Sequence, residues 1–329
     1  MFNKAKILDD LMRETFELLL KSRSKIKATK GETHEISGIL LQLDNPNARI
    51  SRTEIKGTIF SCLGELLWYL SGTNDLGFIE YYLSIYRKFS DDGETLNGAY
   101  GPRVFGSDRK GQFFSVLNLL SKKPTTRQAV IQVFGFGDLV GNSLDIPCTC
   151  TLQFLIRDER LHLSVTMRSN DAYKGLPHDI FAFTMFQEIM ARSLGLPVGQ
   201  YKHYVGSLHL YTTDFESVHK YIAEDWQSNV PMPRMPEGNP WTSIEKLLEI
   251  EKAIRLGVPF DDKVLDELDN YWADFARILI IFRLTKTAGS IMVARKYIKN
   301  MSSDVYLTYL KKKVDKLEQK GDTQSDLFV

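Results

Sequence analysis

Cys148, with Pro147 before it and Thr149 after it, has the side chain of a covalent nucleophile. Arginines at positions 127 and 168 are cations of the kind that hold a thiol as thiolate. A cysteine in an apolar neighbourhood is more often an inert core residue, so its context must carry the reading. Arg168 opens the polar cluster Arg168-Ser169-Asn170-Asp171. Such a cluster is costly to bury at a strand end and suits a phosphate or another polar ligand, although a solvated turn would look the same. Glu65 sits inside FSCLGELLWYL, with apolar side chains on nearly every side. Unless it lies on that helix's one wet edge, its carboxyl is expected to have a raised pKa and to move protons near neutral pH. Asp179, in LPHDIF just before an apolar helix, has the place of an N-cap. His209 and Tyr211 in SLHLY alternate onto one strand face, where ordinary core residues would do likewise.

The elements that must hold these residues follow from periodicity. A first helix is predicted from about Lys6 to Lys21, then a basic loop, Lys21 to Lys30. ISGILLQLDN reads as a strand, and TIFSCLGELLWYLSG as a strongly apolar helix stopped at Gly72. Gln128–Gly135 reads as a strand, and TLQFLIR and LHLSVTMRS as a hairpin about Asp158-Glu159-Arg160. IFAFTMFQEIMARSLG is a second buried helix with a glycine stop, and YKHYVGSLHLY returns as a strand. The run SNVPMPRMPEGNP carries four prolines and breaks the pattern. Beyond it, Thr242 and Glu245 have the spacing of a capping box for a helix through Arg255, and charged helical patterning continues to Lys320. The domain reading is a catalytic core over residues 1–227 and a proline-rich linker with a helical extension over 228–329. The tail QKGDTQSDLFV is expected to be mobile.

Composition narrows the class. The chain has 329 residues, 43% of them hydrophobic, and a formal net charge of +1, which argues against a general nucleic-acid binder. No apolar run suits a membrane span, and MFNKAKILDDLMRETFELLLK is amphipathic rather than a signal peptide. Three cysteines, at 62, 148 and 150, suit a reducing, cytoplasmic setting, and Cys148-x-Cys150 has no second pair at zinc spacing, so no metal is expected.

No single residue decides the matter; the order and spacing of several segments do. GELLWYLSGTN, NGAYGPR, TTRQAVIQVF, DIPCTCTLQFLIRDERLHLSVTMRSND, KGLPHDIFAF and VGSLHLY resemble the thymidylate synthase superfamily, in family order over roughly residues 35–215. The resemblance implies an α/β (α+β) fold, a large buried mixed sheet surrounded by helices, with the C-terminal helical extension added to it. It implies a homodimer packed through that sheet, a pyrimidine nucleoside monophosphate as substrate and 5,10-methylenetetrahydrofolate as co-substrate. It implies that Cys148 attacks C6 of the base, that Glu65 moves protons and orders water there, and that Tyr100 lies near C5. Arg168 and Ser169 would bind phosphate in the same subunit, and Arg127 would reach the partner's site. His209 and Tyr211 would hold the sugar 3′-hydroxyl, and Asp171 the folate pterin ring.

Departures from the family pattern carry information too. Gln128 replaces the second interface arginine, and Thr149 the histidine usual after the nucleophile. Tyr86 and Phe89 stand for two tryptophans near the folate. The N-terminal arginine loop has only Arg23, Lys25, Lys27 and Lys30 as candidates. Asp179 stands where a uracil reader carries asparagine; an aspartate can accept from cytosine N4–H₂ and share a proton with N3. With MRSND, this resembles the cytidylate hydroxymethylase branch. The reading is therefore folate-dependent hydroxymethylation of a cytidine 5′-monophosphate at C5. Alternatives are a thymidylate synthase that methylates dUMP, and a non-catalytic nucleotide- or RNA-binding protein of the same fold.

Overall fold

The computed structural model describes residues 1–28, 31–106, 110–287 and 290–325, with side chains as far as residue 318. Its strands are β1 (Phe2–Ala5), β2 (Lys25–Ala28), β3 (Gly31–Leu43), β4 (Val130–Gln132), β5 (Thr149–Arg157), β6 (Arg160–Asp171) and β7 (Val198–Tyr211). Its α-helices are α1 (Leu8–Lys21), α2 (Ile59–Leu70), α3 (Leu76–Tyr82), α4 (Tyr100–Val104), α5 (Gln112–Lys122) and α6 (Leu176–Ser193). They continue with α7 (Phe215–Ala223), α8 (Trp241–Leu256), α9 (Asn270–Lys286), α10 (Ile291–Lys299) and α11 (Leu307–Ser325).

The strands make one mixed sheet in the order β1-β3-β7-β6-β5-β4, with β2 also on β3. β6 and β7 run parallel, and the remaining main pairings of β3 with β7, β5 with β6 and β4 with β5 are antiparallel. The predicted hairpin is present as a two-residue turn: Asp158 and Glu159 have φ of 49° and 55° between Arg157 and Arg160. Two successive left-handed residues give the turn whose twist matches the strands. The mixed sheet with surrounding helices is the expected fold.

Helices α2 and α6 are apolar on almost all sides because each is covered on almost all sides. α6 packs on β6, β7 and α2, while α9 packs on the other helices and on α2. Phe60 of α2 stacks on Phe282 of α9 at 5.4 Å. The C-terminal helices thus complete the core around the helix that carries Glu65.

Several local expectations need correction. The basic stretch after α1 is not all loop, since Lys25–Ala28 pairs antiparallel with β3. Its side chains are too polar to announce a strand, but backbone pairing holds it, and lysines are usual on such edges. Lys30 lies outside the described residues. α1 starts at Leu8 rather than Lys6, because residues 2–5 form β1 instead. The strand read over Gln128–Gly135 is only Val130–Gln132. Thr242 and Glu245 form no capping box: α8 begins at Trp241, Pro240 is its N-cap, and Asn239 Oδ1 accepts from the Trp241 amide at 3.2 Å. Asp179 is not an N-cap either, because α6 begins at Leu176 on Gly175 and puts Asp179 inside the first turn. The tail is helical as far as Ser325, and residues 326–329 lie outside the described residues.

The proline-rich stretch is irregular but anchored. Met232 and Met235 are buried, and their amides bond Asn47 O and Glu188 Oε1, each at 2.9 Å. Glu188 also takes Arg49 Nη2 at 2.5 Å and Asn47 Nδ2 at 2.8 Å, with Arg49 and Glu188 both shut away from solvent. Breaking a buried ion pair leaves an uncompensated charge, which costs about 3–5 kcal/mol. Arg49→Leu should lose stability on that scale in urea unfolding. Adding Glu188→Leu should not restore it, because the Met235 amide and Asn47 Nδ2 then lose their acceptor. A single variant within about 1 kcal/mol of wild type would show that another contact anchors the stretch.

Candidate active site

Cys148 is half-buried and ends the approach to β5. Its carbonyl accepts from the Arg168 amide at 2.9 Å. The Arg168 guanidinium donates to Pro147 O at 2.9 Å and Ile146 O at 3.0 Å. Arg168 is therefore a clamp on the cysteine segment whose guanidinium still faces solvent. On the other side, Tyr100 Oη accepts from the Thr149 amide at 3.2 Å and from Thr149 Oγ1 at 3.1 Å. Gly101 lets Tyr100 sit there: a Cβ at 101 would meet the carbonyls of Tyr69 and Thr73 at 3.0 Å.

Behind this segment lies a pocket with two carboxyl groups. Glu65 is only 5% exposed, and burial pushes its pKa up to about 7 against the bonds it accepts from Tyr86 and Tyr69. Tyr69 stacks on Tyr100 at 5.1 Å. Asp179 is half-buried in the first turn of α6. Burial first, and then the Glu65 carboxylate, hold its pKa well above the usual carboxylate range. Tyr100 is pushed up as well, by burial and then by Asp179 and Cys148. The structure thus gathers Cys148, Glu65, Tyr100 and Asp179 into one electrostatic neighbourhood, with both acids held above the usual carboxylate range.

The sheet positions the rest. Ser169 is opposite Ser207, and Asp171 opposite His209. Ser169, Asp171, His209 and Tyr211 alternate with buried Asn170, Leu208 and Leu210, so they share a face, and the His209 and Tyr211 rings meet edge to face at 5.3 Å. Asp171 Oδ1 accepts from the Tyr173 and Lys174 amides, each at 2.9 Å. Tyr86 and Phe89 lie on the 3₁₀ turn Ser84–Phe89, 6.2 Å apart, with Trp68 against Tyr86 at 5.5 Å. Trp68 Nε1 is buried with no partner among the described residues. Arg23, Lys25 and Lys27 are exposed, across β3 from the His209–Tyr211 end of β7.

Arg127 and Gln128 are exposed and stand apart. Gln153 Nε2 donates to Arg127 O at 3.0 Å, which puts Arg127 beside the middle of β5. Five residues of strand from Cys148 is about 16 Å, too far for Arg127 to serve the same subunit's nucleophile. The exposed guanidinium is free to face another chain.

Other residues at this site escaped sequence reasoning. Tyr69 follows Glu65 at i+4, a spacing that could have pointed to it. His178 bonds Ser61 Oγ at 2.9 Å, and burial pushes its pKa down to about 4. Lys56 lies 3.9 Å over the Tyr173 ring, and burial lowers its pKa although Cys62 and Asp171 oppose this. These partners come from distant segments and leave no local signal. Among the described residues no cluster of His, Cys, Asp or Glu could hold a metal ion, and no helix is long and apolar enough to cross a membrane.

The thymidylate synthase family model matches residues 10–247. The chain is 34% identical over 209 residues to a deoxyuridylate hydroxymethyltransferase of Bacillus phage SP01, covering 59% of this chain and 53% of that protein. It is 28% identical over 246 residues to a protein of the same name from Delftia phage PhiW-14, covering 70% and 67%. The chain thus spans about half the length of the first relative and two thirds of the second.

The Glu65 environment has a consequence for stability. Its folded pKa, about 7, lies above the ordinary value of 4.5, so the folded state binds the proton more tightly than the unfolded chain. That contribution is fully present below the unfolded pKa and is lost as pH rises through the folded one, on the order of a few kcal/mol. Glu65→Gln cannot ionise. Its melting temperature relative to wild type should therefore rise between pH 5 and pH 8. A constant difference across that range would show that Glu65 is not held neutral.

Proposed function

We propose a reaction that starts from one premise: this chain belongs to the thymidylate synthase family. The reaction is hydroxymethylation at C5 of a pyrimidine deoxynucleoside 5′-monophosphate, with cytidylate as the substrate that an aspartate at 179 favours by type. The observation that carries it is the placement of Cys148 beside Tyr100, with the two carboxyls Glu65 and Asp179, both held above the usual carboxylate range, in the same neighbourhood.

A bound 5,10-methylenetetrahydrofolate supplies the one-carbon unit. The residues present suit it: Asp171 Oδ1 is fixed by two amides, leaving acceptor capacity for pterin N–H groups, and Trp68, Tyr86 and Phe89 form an aromatic wall. The Cys148 thiolate adds to C6, and the electron pair passes to C5, which thereby gains the nucleophilicity it lacks in the free base. After C5 has gained the carbon, its proton leaves on the side of Tyr100. Glu65, held by Tyr69 and Tyr86, orders the water that adds to the exocyclic methylene. Expulsion of Cys148 restores the ring. Nucleotide, folate donor and water give the hydroxymethyl nucleotide and tetrahydrofolate, with no net oxidation. Arg168 and Ser169 take the phosphate, with Gln128 and Arg127 of a second subunit at the same group, and His209 and Tyr211 hold the sugar. Helices beyond residue 228 serve as an extension that packs against α2.

Deoxyuridylate is the second reading, and two observations favour it: the names of the two phage relatives, and the burial that raises the pKa of the Asp179 carboxyl. A neutral carboxyl can donate O–H to O4 and accept from N3–H, as an amide does. Comparing turnover of dCMP and dUMP separates the readings.

Cys148→Ser should lose at least about three orders of magnitude in kcat while keeping nucleotide affinity, as removal of a covalent nucleophile does. Near-normal turnover would sink that role. Mass analysis of the wild-type product should show a hydroxymethyl group and no dihydrofolate. A methyl product with one dihydrofolate per turnover would replace hydroxymethylation by methylation.

A further inference from the structure

Three neighbouring strands put a polar lane on one face of the sheet. Glu35 of β3 stands directly opposite His209 of β7, and His209 directly opposite Asp171 of β6. One step along, Ser37, Ser207 and Ser169 line up in the same way. Residues directly opposite in an antiparallel pair project to the same side, with Cβ atoms about 5 Å apart. The alternate row, Ile36, Leu208 and Asn170, is buried on the other side. Glu35 therefore shares the face of His209 and Tyr211, the pair assigned above to the sugar.

Local bonds fix Glu35 in this place and leave part of it unused. Its amide donates to Ser24 O at 3.0 Å, and its carbonyl accepts from Ser22 Oγ at 2.7 Å. Ser207 Oγ donates to Glu35 Oε1. Glu35 Oε2 has no hydrogen-bond donor among the described residues, and no cation among them forms an ion pair with this half-buried group. The His209 ring and Tyr211 Oη are likewise without hydrogen bonds among the described residues. One face thus offers an acceptor-only group between side chains that can donate.

A sugar hydroxyl has one hydrogen to give and two lone pairs that accept. The His209 N–H and the Tyr211 O–H can serve its lone pairs. Its own hydrogen then needs an acceptor, and a carboxylate is the group that takes a ribose hydroxyl in dinucleotide sites. We propose that Glu35 Oε2 accepts the hydrogen of the sugar 3′-hydroxyl, so that Glu35 is a specificity-determining residue for nucleotides with a free hydroxyl at that position. The inference rests on the reading above that His209 and Tyr211 hold the sugar.

The test uses the full-length protein with folate donor. It compares kcat/KM for dCMP or dUMP, whichever turns over faster, with that for its 3′-fluoro-3′-deoxy analogue. Fluorine is small and can weakly accept, but it has no hydrogen to give. Wild type should favour the hydroxyl by at least about tenfold, the scale of one polar group left unpaired. Glu35→Ala should bring the two within about threefold, chiefly by losing rate on the hydroxyl nucleotide. A purely structural role would lower both together and leave the ratio alone. Glu35→Gln offers one acceptor oxygen instead of two, so it should lower the ratio as well. It decides if Glu35→Ala does not fold, as judged by circular dichroism. An unchanged ratio in folded variants, or a wild type indifferent to the fluorine, overturns the inference alone. If His209→Ala also keeps wild-type kcat/KM, the sugar reading beneath it fails too. A wild type that turns over neither dCMP nor dUMP takes down the proposed reaction with both.

Discussion

Two carboxyl groups, Glu65 and Asp179, lie near enough for the charge of one to act on the other, and the shifts of both are dominated by burial, with no cation among their main influences. Ionising both would place like charges together in a low-dielectric space, so the protein keeps protons there instead. Everything that seals the pocket serves this condition. Helix α2 must be covered on its far side as well as its near side, which is the role of α9 through Phe282 against Phe60. Helix α6 must lie flat on β6 and β7, which it does with an almost wholly apolar surface.

The groups that meet Glu65 are tyrosines rather than cations. Tyr69 and Tyr86 can hydrogen-bond the charged form without a full positive charge to fix it. A lysine there would have pulled the carboxyl down to the ordinary range and ended its use near neutral pH. Hydroxyl dipoles leave it at about 7, where gaining and losing a proton cost nearly the same. Tyr86 is half-buried and its hydroxyl donates to Glu65, so one side chain serves both the aromatic wall with Trp68 and Phe89 and the acid. An aromatic ring smaller than indole covers less of that wall, which suits a reaction that consumes water.

Some of this arrangement could be read from the chain. Glu65 was legible because a carboxylate amid FSCLGELLWYL breaks an otherwise continuous apolar pattern, and Cys148 because its neighbours match a family segment. The two-residue hairpin and the glycine stops were legible because turn geometry is written in local residues. Asp179 was harder: its sequence place just before an apolar run is that of a cap, and only the helix start at Leu176 shows otherwise. β2 was hidden because KIKA lacks an apolar face, its strand being fixed by the partner's backbone. The Arg49–Glu188 pair and the bond from Ser207 to Glu35 join segments far apart in the chain, so no local pattern announces them.

The site divides its electrostatics by depth. Its cations, Arg168 and the Arg23–Lys27 segment, stand exposed at the rim, where charge attracts a phosphate without a large desolvation cost. The base end is neutral and dry, where an unpaired donor or acceptor costs far more than it would in water. Affinity and selection are thereby assigned to different places. In the proposed reaction the rim takes what every nucleotide shares, and the interior meets the one edge on which cytosine and uracil differ. A charged group at the base end would blur that division, because a carboxylate offers acceptors only and would leave one polar atom of either base without a complement. The burial that raises the pKa of both carboxyls depends on the packing of α2 and α6.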